Sequence, residues 1–156
     1  MDIYKTFTEL IQKHGIEARN LHLEITETAV MSDMKKVIRL VNKLRQYGFK
    51  VEMDDFGSGY SSLNMLKAIH MDTIKLDMGF LRKTMHTERS MAIIRNVIYL
   101  SKKLGMEVVT EGVETKEQVD ALTQMGCDVF QGYYFAKPMS VWDFEDAYIP
   151  NEPNAV

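Results

Sequence analysis

The sequence predicts an α/β fold of the TIM type, a (β/α) barrel that is present here in part, as about five βα units. Two observations predict it. Short β-type runs alternate with helical stretches five times, at the spacing of βα units in a parallel sheet. A polar side chain also stands at or near the C-terminal end of each β-type run: Glu24, Asp54, Lys75, Glu111 and Gln131.

The positions of these five side chains favour a barrel over an open, doubly wound sheet. In a barrel the C-terminal ends of all strands meet at one mouth, where active sites are built. In an open sheet only the strands beside the switch point share a crevice. Five polar strand ends therefore fit a ring better than a line.

The N-terminal third is predicted to hold two strands and the helix between them. Leu21–Thr26 alternates apolar and polar residues, which is typical of a strand, and Lys50–Asp55 is the second strand. The helix has apolar residues at helical spacing. It is expected to be capped by Ser32 or Asp33 and to end at Gly48.

Two helices and three strands are predicted in the next part of the chain. A glycine- and serine-rich loop and a short helix near Leu63–Ile69 lead into a third strand, Thr73–Asp77. A strong helix over Met91–Leu104 comes before Gly105. The fourth strand covers Glu107–Glu111, and the fifth begins over Asp128–Gln131.

The remaining predicted elements are helical. One helix covers Lys116–Met125 and ends at Gly126, and a last helix begins near Val141 or Trp142. We expect one domain over residues 1–150 and a frayed tail over residues 151–156.

Charge and composition exclude several classes of protein. The formal net charge is −3, so no basic field favours long nucleic acid as a partner. No run approaches the roughly 18 apolar residues of a membrane span, and charged residues interrupt the N-terminus where a signal peptide needs an apolar run. The single cysteine, Cys127, excludes an internal disulfide and is expected to be buried. We expect a cytoplasmic domain without membrane contact of its own, whatever attachment its parent protein has.

Four carboxylates carry the predicted chemistry: Glu24, Asp54, Asp55 and Glu111. Carboxylate oxygens are the ligands that Mg²⁺ and Mn²⁺ prefer, and several at one mouth repel one another unless a cation lies between them. Two such ions about 4 Å apart can clamp the attacking and leaving oxygens of a phosphoryl centre. Lys75 adds a positive group that can orient an attacking water. The alternative is a set of solvated carboxylates at strand ends.

The stretch from Asp54 to Ser62, DDFGSGYSS, is the most informative in the chain. Its two glycines, Gly57 and Gly59, allow a tight loop with unusual backbone angles. A loop of this kind after a strand often covers a site. It matches neither of the common glycine-rich nucleotide-binding patterns, and the alternative is an ordinary strand–helix connection.

Five motifs together resemble the EAL domain family. The resemblance runs from about Leu21 to Phe144, with the motifs in family order and at family-like spacing. It implies a modified TIM barrel that uses Mg²⁺ or Mn²⁺ to cut one phosphodiester of cyclic di-GMP, giving linear pGpG, in bacterial second-messenger signalling. The motifs are EITE at Glu24–Glu27, DDFGSGYSS at Asp54–Ser62, IKLD at Ile74–Asp77, EGVE at Glu111–Glu114 and QGY at Gln131–Tyr133.

The resemblance also implies a role for each motif residue. Glu24 and Asp54 are implied to bind one metal ion, and Asp55 a second. Lys75 is implied to position the nucleophilic water, and Glu111 to act as the general base or as a ligand through water. Further residues are implied to support these groups. Gln131 is implied to hold metal-bound water or substrate, and Glu27 to steady the DDFG loop. Asp77 and Glu114 are implied to support the ligands without binding the metal themselves.

Two features of the family have no counterpart here. The name-giving Glu-Ala-Leu segment, which supplies a metal-binding glutamate, and an asparagine ligand from the next strand are both absent. A complete barrel takes about 250 residues, and roughly three strands are lacking on the N-terminal side, where a helical stretch, Ile3–His14, comes before the first motif. We therefore expect a C-terminal fragment of an active parent, itself weak or inactive.

Two other functions stay open on the sequence alone. One is a non-catalytic module that binds cyclic di-GMP or regulates a partner, although the presence of Lys75, Glu111 and Asp54 argues against it. The other is an unrelated Mg²⁺-dependent barrel enzyme that abstracts a proton with a lysine base. In either case a partial barrel exposes strand edges, so we expect a homodimer or a swapped oligomer.

Overall fold

Five parallel strands form one sheet, and each pairs with the next strand in sequence. The computed structural model describes residues 2–57, 63–77, 79 and 87–149. The strands are β1 His22–Thr26, β2 Lys50–Phe56, β3 Thr73–Leu76, β4 Glu107–Thr110 and β5 Val129–Phe130. The helices are α1 Ile3–His14, α2 Glu27–Ser32, α3 Met34–Tyr47, α4 Leu63–Ala68, α5 Glu88–Lys103, α6 Lys116–Gln124 and α7 Val141–Tyr148, with a 3-10 turn at Ala18–Asn20.

The strand order confirms the predicted α/β fold and its barrel-type winding. A doubly wound sheet reverses its strand order at a switch point. Here the order β1-β2-β3-β4-β5 never reverses, so the sheet advances by one strand at a time, as a barrel does. Right-handed crossovers in one direction place the connecting helices on the same face of the sheet.

The hydrophobic core lies between that face of the sheet and the helices. Alternate residues of the strands form one side of it, among them Met53, Ile74 and Val108. Cys127 is buried in the same core, as predicted. The helices contribute several core residues that are at most 1 % exposed, among them Val41, Leu44, Ile94, Ile98 and Leu122. Because side chains alternate along a strand, the other face receives the polar set.

The predicted elements agree with the structure except at some boundaries and at one helix. The helix α5 begins earlier than predicted, at Glu88, because the Thr87 hydroxyl accepts a hydrogen bond from the Ser90 N–H. Of the two predicted caps of α3, Asp33 is the one used. The short helix α2, capped by Thr26, was not predicted. Six residues are too few to show a clear helical period.

Some sequence expectations fall outside the part of the chain that the structure describes. These are most of the loop over residues 57–62, of which Gly57 alone is described, and the tail over residues 151–156. Within the described ranges, no helix combines the length and the apolar character needed to cross a membrane.

Asp72 ties together the N-terminal ends of three strands. Its carboxylate accepts hydrogen bonds from Arg45 at 3.0 and 3.2 Å and from the Val51 N–H at 3.0 Å. Its backbone N–H donates to Val51, and its carbonyl accepts from the Glu107 N–H. Burial raises the pKa of this carboxyl, but the hydrogen bonds from Arg45 and Val51 outweigh burial, so the pKa lies below its usual 3.8.

We expect Asp72→Asn to lower the free energy of unfolding by about 1–3 kcal/mol at neutral pH, because it removes the charge from these hydrogen bonds. A pKa lowered by folding adds stability that is complete above the unfolded-state pKa. That stability is lost as the pH falls through the lower folded-state pKa. Urea unfolding between neutral pH and about pH 3 should therefore show the difference between the two proteins shrinking in acid.

Asp128→Asn is the matched control. Asp128 pairs with Lys102 at the surface, where its side chain is 72 % exposed, whereas that of Asp72 is 15 % exposed. Exposed pairs contribute about 0–1 kcal/mol. Equal losses of stability in the two variants would show that Asp72 has no special role at this end of the sheet.

Candidate active site

An extra residue in β2 brings two successive carboxylates to the same place. Between Met53 and Phe56, β2 has one more residue than the paired stretch of β3, and Asp55 adopts a left-handed backbone conformation with φ 57°. In a regular strand neighbouring side chains point to opposite faces. A bulge changes that alternation. Here carboxylate oxygens of Asp54, Asp55 and Glu111 all lie within 4.8 Å of one another.

Lys75 lies at the centre of a group of side chains that we call the carboxylate mouth: Glu24, Asp54, Asp55, Lys75 and Glu111. It projects from β3, the middle strand, and its side chain is only 7 % exposed. Its ammonium donates to Glu24 at 2.5 Å and lies 2.8 Å from Glu111 and 3.3 Å from Asp54. Glu24 lies on β1, Asp54 lies on β2, and Glu111 follows β4. The structure therefore brings Lys75 together with three of the predicted carboxylates, and these four side chains come from four neighbouring strands.

The surrounding carboxylates determine the protonation state of Lys75. Burial lowers the pKa of its ammonium, but the hydrogen bonds to Glu111 and Glu24 outweigh burial and hold the pKa above its usual value. In this arrangement the Lys75 ammonium serves as a hydrogen-bond donor to these carboxylates.

The residues Asp54, Asp55 and Glu111 suit a hard divalent cation. They offer carboxylate oxygens, which are the ligands that Mg²⁺ and Mn²⁺ prefer. Burial raises the pKa of Asp55, and the negative charges of Asp54 and Asp77 raise it further. That repulsion is what a bound cation relieves. Glu24, also predicted as a ligand, lies outside this group of three and contacts Lys75 instead.

Two of the predicted supporting residues contact backbone beside the mouth. Glu27 is buried at the start of α2. One of its carboxylate oxygens accepts a hydrogen bond from the Gly57 N–H, with 3.4 Å between nitrogen and oxygen. Asp77 follows β3 and accepts a hydrogen bond from the Gly79 N–H at 2.6 Å. Glu27 thus touches the first residue of the predicted loop. The roles assigned to both residues stay predictions.

The last two predicted residues lie in the loops after β4 and β5. The Gln131 N–H donates to the Thr110 carbonyl at 2.8 Å, which places Gln131 beside Glu111, and its side chain is exposed. Glu114 is exposed, and its N–H donates to the Gln118 side chain at 2.8 Å, where α6 begins. Their roles in holding water or supporting the ligands also stay predictions.

Sequence reasoning missed two features that shape this site. The first is the bulge in β2. Its sequence signal is that the apolar residues Met53 and Phe56 are three residues apart, whereas residues on one face of a regular strand are two or four apart. The second is the contact between Gly132 and Val113 in the loops after β5 and β4. The glycine in the QGY motif and the valine in the EGVE motif were its only signals.

The family model of the EAL domain matches residues 2–138. This range covers all five strands and every residue of the site. The chain belongs to the EAL domain family. The resemblance given by its five motifs is thereby confirmed. The carboxylates described above lie within the part of the chain that matches the family.

Named relatives and solved structures agree with this assignment. The chain is 37 % identical over 136 residues to the cyclic di-GMP phosphodiesterase NbdA of Pseudomonas aeruginosa, covering 87 % of this chain and 17 % of NbdA. The PaMucR phosphodiesterase solved with c-di-GMP matches with a TM-score of 0.83 and 33 % identity, over 90 % of this chain and 57 % of that one. Klebsiella pneumoniae BlrP1, solved with manganese and cy-diGMP, matches with a TM-score of 0.82 and 33 % identity, over 88 % and 35 %.

This EAL domain chain spans about a fifth of the length of the first curated relatives that it matches. It spans 57 % of the PaMucR chain.

We expect Lys75→Met to destabilise the domain in the absence of divalent metal, because three carboxylates lose their shared cation. The loss should be about 2–3 kcal/mol, less than for a fully buried pair, since the Glu24 side chain is 50 % exposed. Added Mn²⁺ should raise the melting temperature more in this variant than in the wild type, because the ion replaces the missing charge.

Lys102→Met provides the control for that measurement. Lys102 forms a single ion pair with Asp128 at the surface. Its loss should change the melting temperature little, and Mn²⁺ should act on it as on the wild type. If Lys75→Met matched the Lys102 variant in both respects, the carboxylates would not depend on Lys75.

Proposed function

We propose that this EAL domain serves the metal-dependent hydrolysis of cyclic di-GMP to linear pGpG. The observation that carries the proposal is the contact of Lys75 with Glu24, Asp54 and Glu111 at the C-terminal ends of four neighbouring strands. Strand ends of this kind are where barrel enzymes place their chemistry. The relatives named as phosphodiesterases, and the structures solved with the dinucleotide, support this choice of substrate.

The residues of the mouth divide the work of phosphodiester hydrolysis. Asp54, Asp55 and Glu111 would hold Mg²⁺ or Mn²⁺, which neutralises charge on the phosphate when bound. Lys75, which stays protonated, donates hydrogen bonds that orient the attacking water and stabilise the developing negative charge. Glu111 would accept a proton from that water. Water adds to the phosphorus, one P–O bond to ribose breaks, and the leaving oxygen takes up a proton.

We also propose that this chain, by itself, is a weak or inactive catalyst. The Glu-Ala-Leu segment and the asparagine ligand implied by the family are absent from its sequence. Fewer ligands, and one carboxylate fewer among them, weaken the binding of a divalent metal ion. We propose separately that the domain is cytoplasmic, as expected from its sequence.

The first experiment measures cleavage of cyclic di-GMP with Mg²⁺ or Mn²⁺ present, following pGpG by chromatography. It compares the chain with a version extended to a complete barrel, and each with its Lys75→Ala variant. We expect turnover in the extended protein alone, falling at least about 100-fold when Lys75 is removed, as for the loss of one stabilising donor.

Each alternative has its own outcome in this experiment. Robust turnover by the chain alone would overturn the proposal of weak activity. Binding of the dinucleotide without cleavage by the extended protein would identify a non-catalytic module. If the extended protein neither binds nor cuts it, the proposed substrate is wrong, although membership of the family stands.

We propose in addition that the chain associates with a second copy of itself. The strands β1 and β5 end the sheet, and the described residues contain no strand beyond either. The C-terminal helix α7 exposes several large apolar side chains, of which Trp142 is 77 % exposed. Open strand edges and apolar surface both favour association.

Sedimentation at micromolar concentration tests this association. We expect the wild-type chain to sediment as a dimer, and Trp142→Lys to shift it towards the monomer by placing a charge in the apolar surface. Tyr99→Lys, at an exposed position on α5, is the control and should leave the dimer unchanged. A monomeric wild-type chain would rule the proposal out.

A further inference from the structure

The loops that follow β4 and β5 are joined by reciprocal backbone hydrogen bonds. The Val113 N–H donates to the Gln131 carbonyl at 3.1 Å, and the Val113 carbonyl accepts from the Tyr134 N–H at 3.0 Å. The Gln131 N–H donates to Thr110 at 2.8 Å. Val113 therefore bonds on both sides to the loop that begins at Gln131.

Gly132 lies directly against the backbone of Val113. A Cβ atom added at Gly132 would lie 2.1 Å from the Val113 carbonyl oxygen and 2.3 Å from its nitrogen. Both distances are far below van der Waals contact, and both atoms belong to backbone that is held by hydrogen bonds. The two loops can therefore approach this closely only because residue 132 lacks a side chain.

Val113 cannot easily retreat from such a clash. Its side chain is fully buried in the hydrophobic core, so a shift of the loop would expose apolar surface or open a cavity. Two residues before it, the Glu111 N–H donates to the Leu76 carbonyl at 3.0 Å. The short segment from Glu111 to Val113 is thus fixed at both ends.

Glu111 connects the backbone contact between Gly132 and Val113 to the carboxylate mouth. Its carboxylate lies 2.8 Å from the Lys75 ammonium and belongs to the cluster with Asp54 and Asp55. A displacement of Val113 would be transmitted along two residues to that carboxylate. Mutation of groups that orient metal ligands typically costs about 10–100-fold in metal affinity.

We propose that Gly132 and Val113 are positioning residues for the carboxylate mouth: their backbone contact sets the position of Glu111 relative to Lys75 and the metal-binding carboxylates. Neither residue touches substrate or metal in this role. The inference rests on the proposed function for its link to metal binding, whereas its effect on the contact between Glu111 and Lys75 needs no metal.

Gly132→Ala is the direct test, and Gly126→Ala is its control. Gly126 has a left-handed φ of 93°, so alanine is strained there, but the nearest atom to its added Cβ is 3.9 Å away, on Lys102. Both variants should lose stability. Mn²⁺ binding, followed by electron paramagnetic resonance on folded protein, should weaken by about tenfold or more in Gly132→Ala and stay unchanged in Gly126→Ala.

A double-mutant cycle with Glu111→Gln shows whether Gly132 acts through Glu111. If it does, Gly132→Ala should weaken Mn²⁺ binding no further once Glu111 is replaced. Additive losses in the double variant would overturn the inference. So would normal Mn²⁺ affinity in Gly132→Ala together with a lowered stability, since that is the signature of a merely structural residue.

A second readout separates failure of this inference from failure of the proposed function. The nuclear magnetic resonance signal of the Lys75 ammonium reports its contact with Glu111 without metal, and we expect Gly132→Ala, but not Gly126→Ala, to shift it. If neither the wild-type chain nor its version extended to a complete barrel binds Mn²⁺, the proposed function fails while this signal still decides the inference. An unshifted signal in Gly132→Ala overturns it.

If Gly132→Ala does not fold, Val113→Ala takes its place. It leaves the backbone hydrogen bonds possible but removes the buried side chain that holds the loop. Val108→Ala, in the buried face of β4, is its control for core loss. We expect weaker Mn²⁺ binding in the Val113 variant alone, and equal binding in the two variants would contradict the inference.

Discussion

One buried ammonium, that of Lys75, allows three neighbouring strands to carry carboxylates at a single mouth. It lies on the middle strand and contacts acidic groups from β1, β2 and the end of β4. Without it, several negative charges would meet in a partly desolvated space and repel one another. Because its charge is smaller than the sum of theirs, a net negative potential remains. That remaining charge is what makes the mouth suited to a divalent cation.

The two ends of the sheet differ in their interactions: the N-terminal ends are held by hydrogen bonds, whereas the C-terminal ends bring like charges together. At the N-terminal ends Asp72 is fully engaged, with Arg45, with backbone of β2 and with the residue that begins β4. At the C-terminal ends the structure holds like charges together and keeps Asp55 in a left-handed conformation. Unfavourable geometry of this kind persists only where surrounding structure over-determines it. The well-bonded end and the buried helical core provide that support.

The motifs of the family combine residues for chemistry with residues for placement. In the EGVE motif, Glu111 reaches Lys75 while Val113 fills the core. In the QGY motif, Gln131 bonds to the end of β4 while Gly132 leaves space for the backbone of Val113. The two motifs are therefore one structural unit, although residues 115–130, which include the helix α6, separate them in sequence. A chemical reading of each motif alone accounts for Glu111 and Gln131 but not for Val113 and Gly132.

The sequence by itself determined the alternation of strands and helices, the polar strand ends and the family. These depend on local period, capping and motif spacing, which a single chain displays directly. Only the tertiary structure decided that Asp54 and Asp55 share one side, because a bulge is defined by the partner strand. It alone showed that Lys75 is the common partner of Glu24, Asp54 and Glu111. Gly132 and Val113 likewise gained a meaning only when two distant loops met, since close packing depends on neighbours in space.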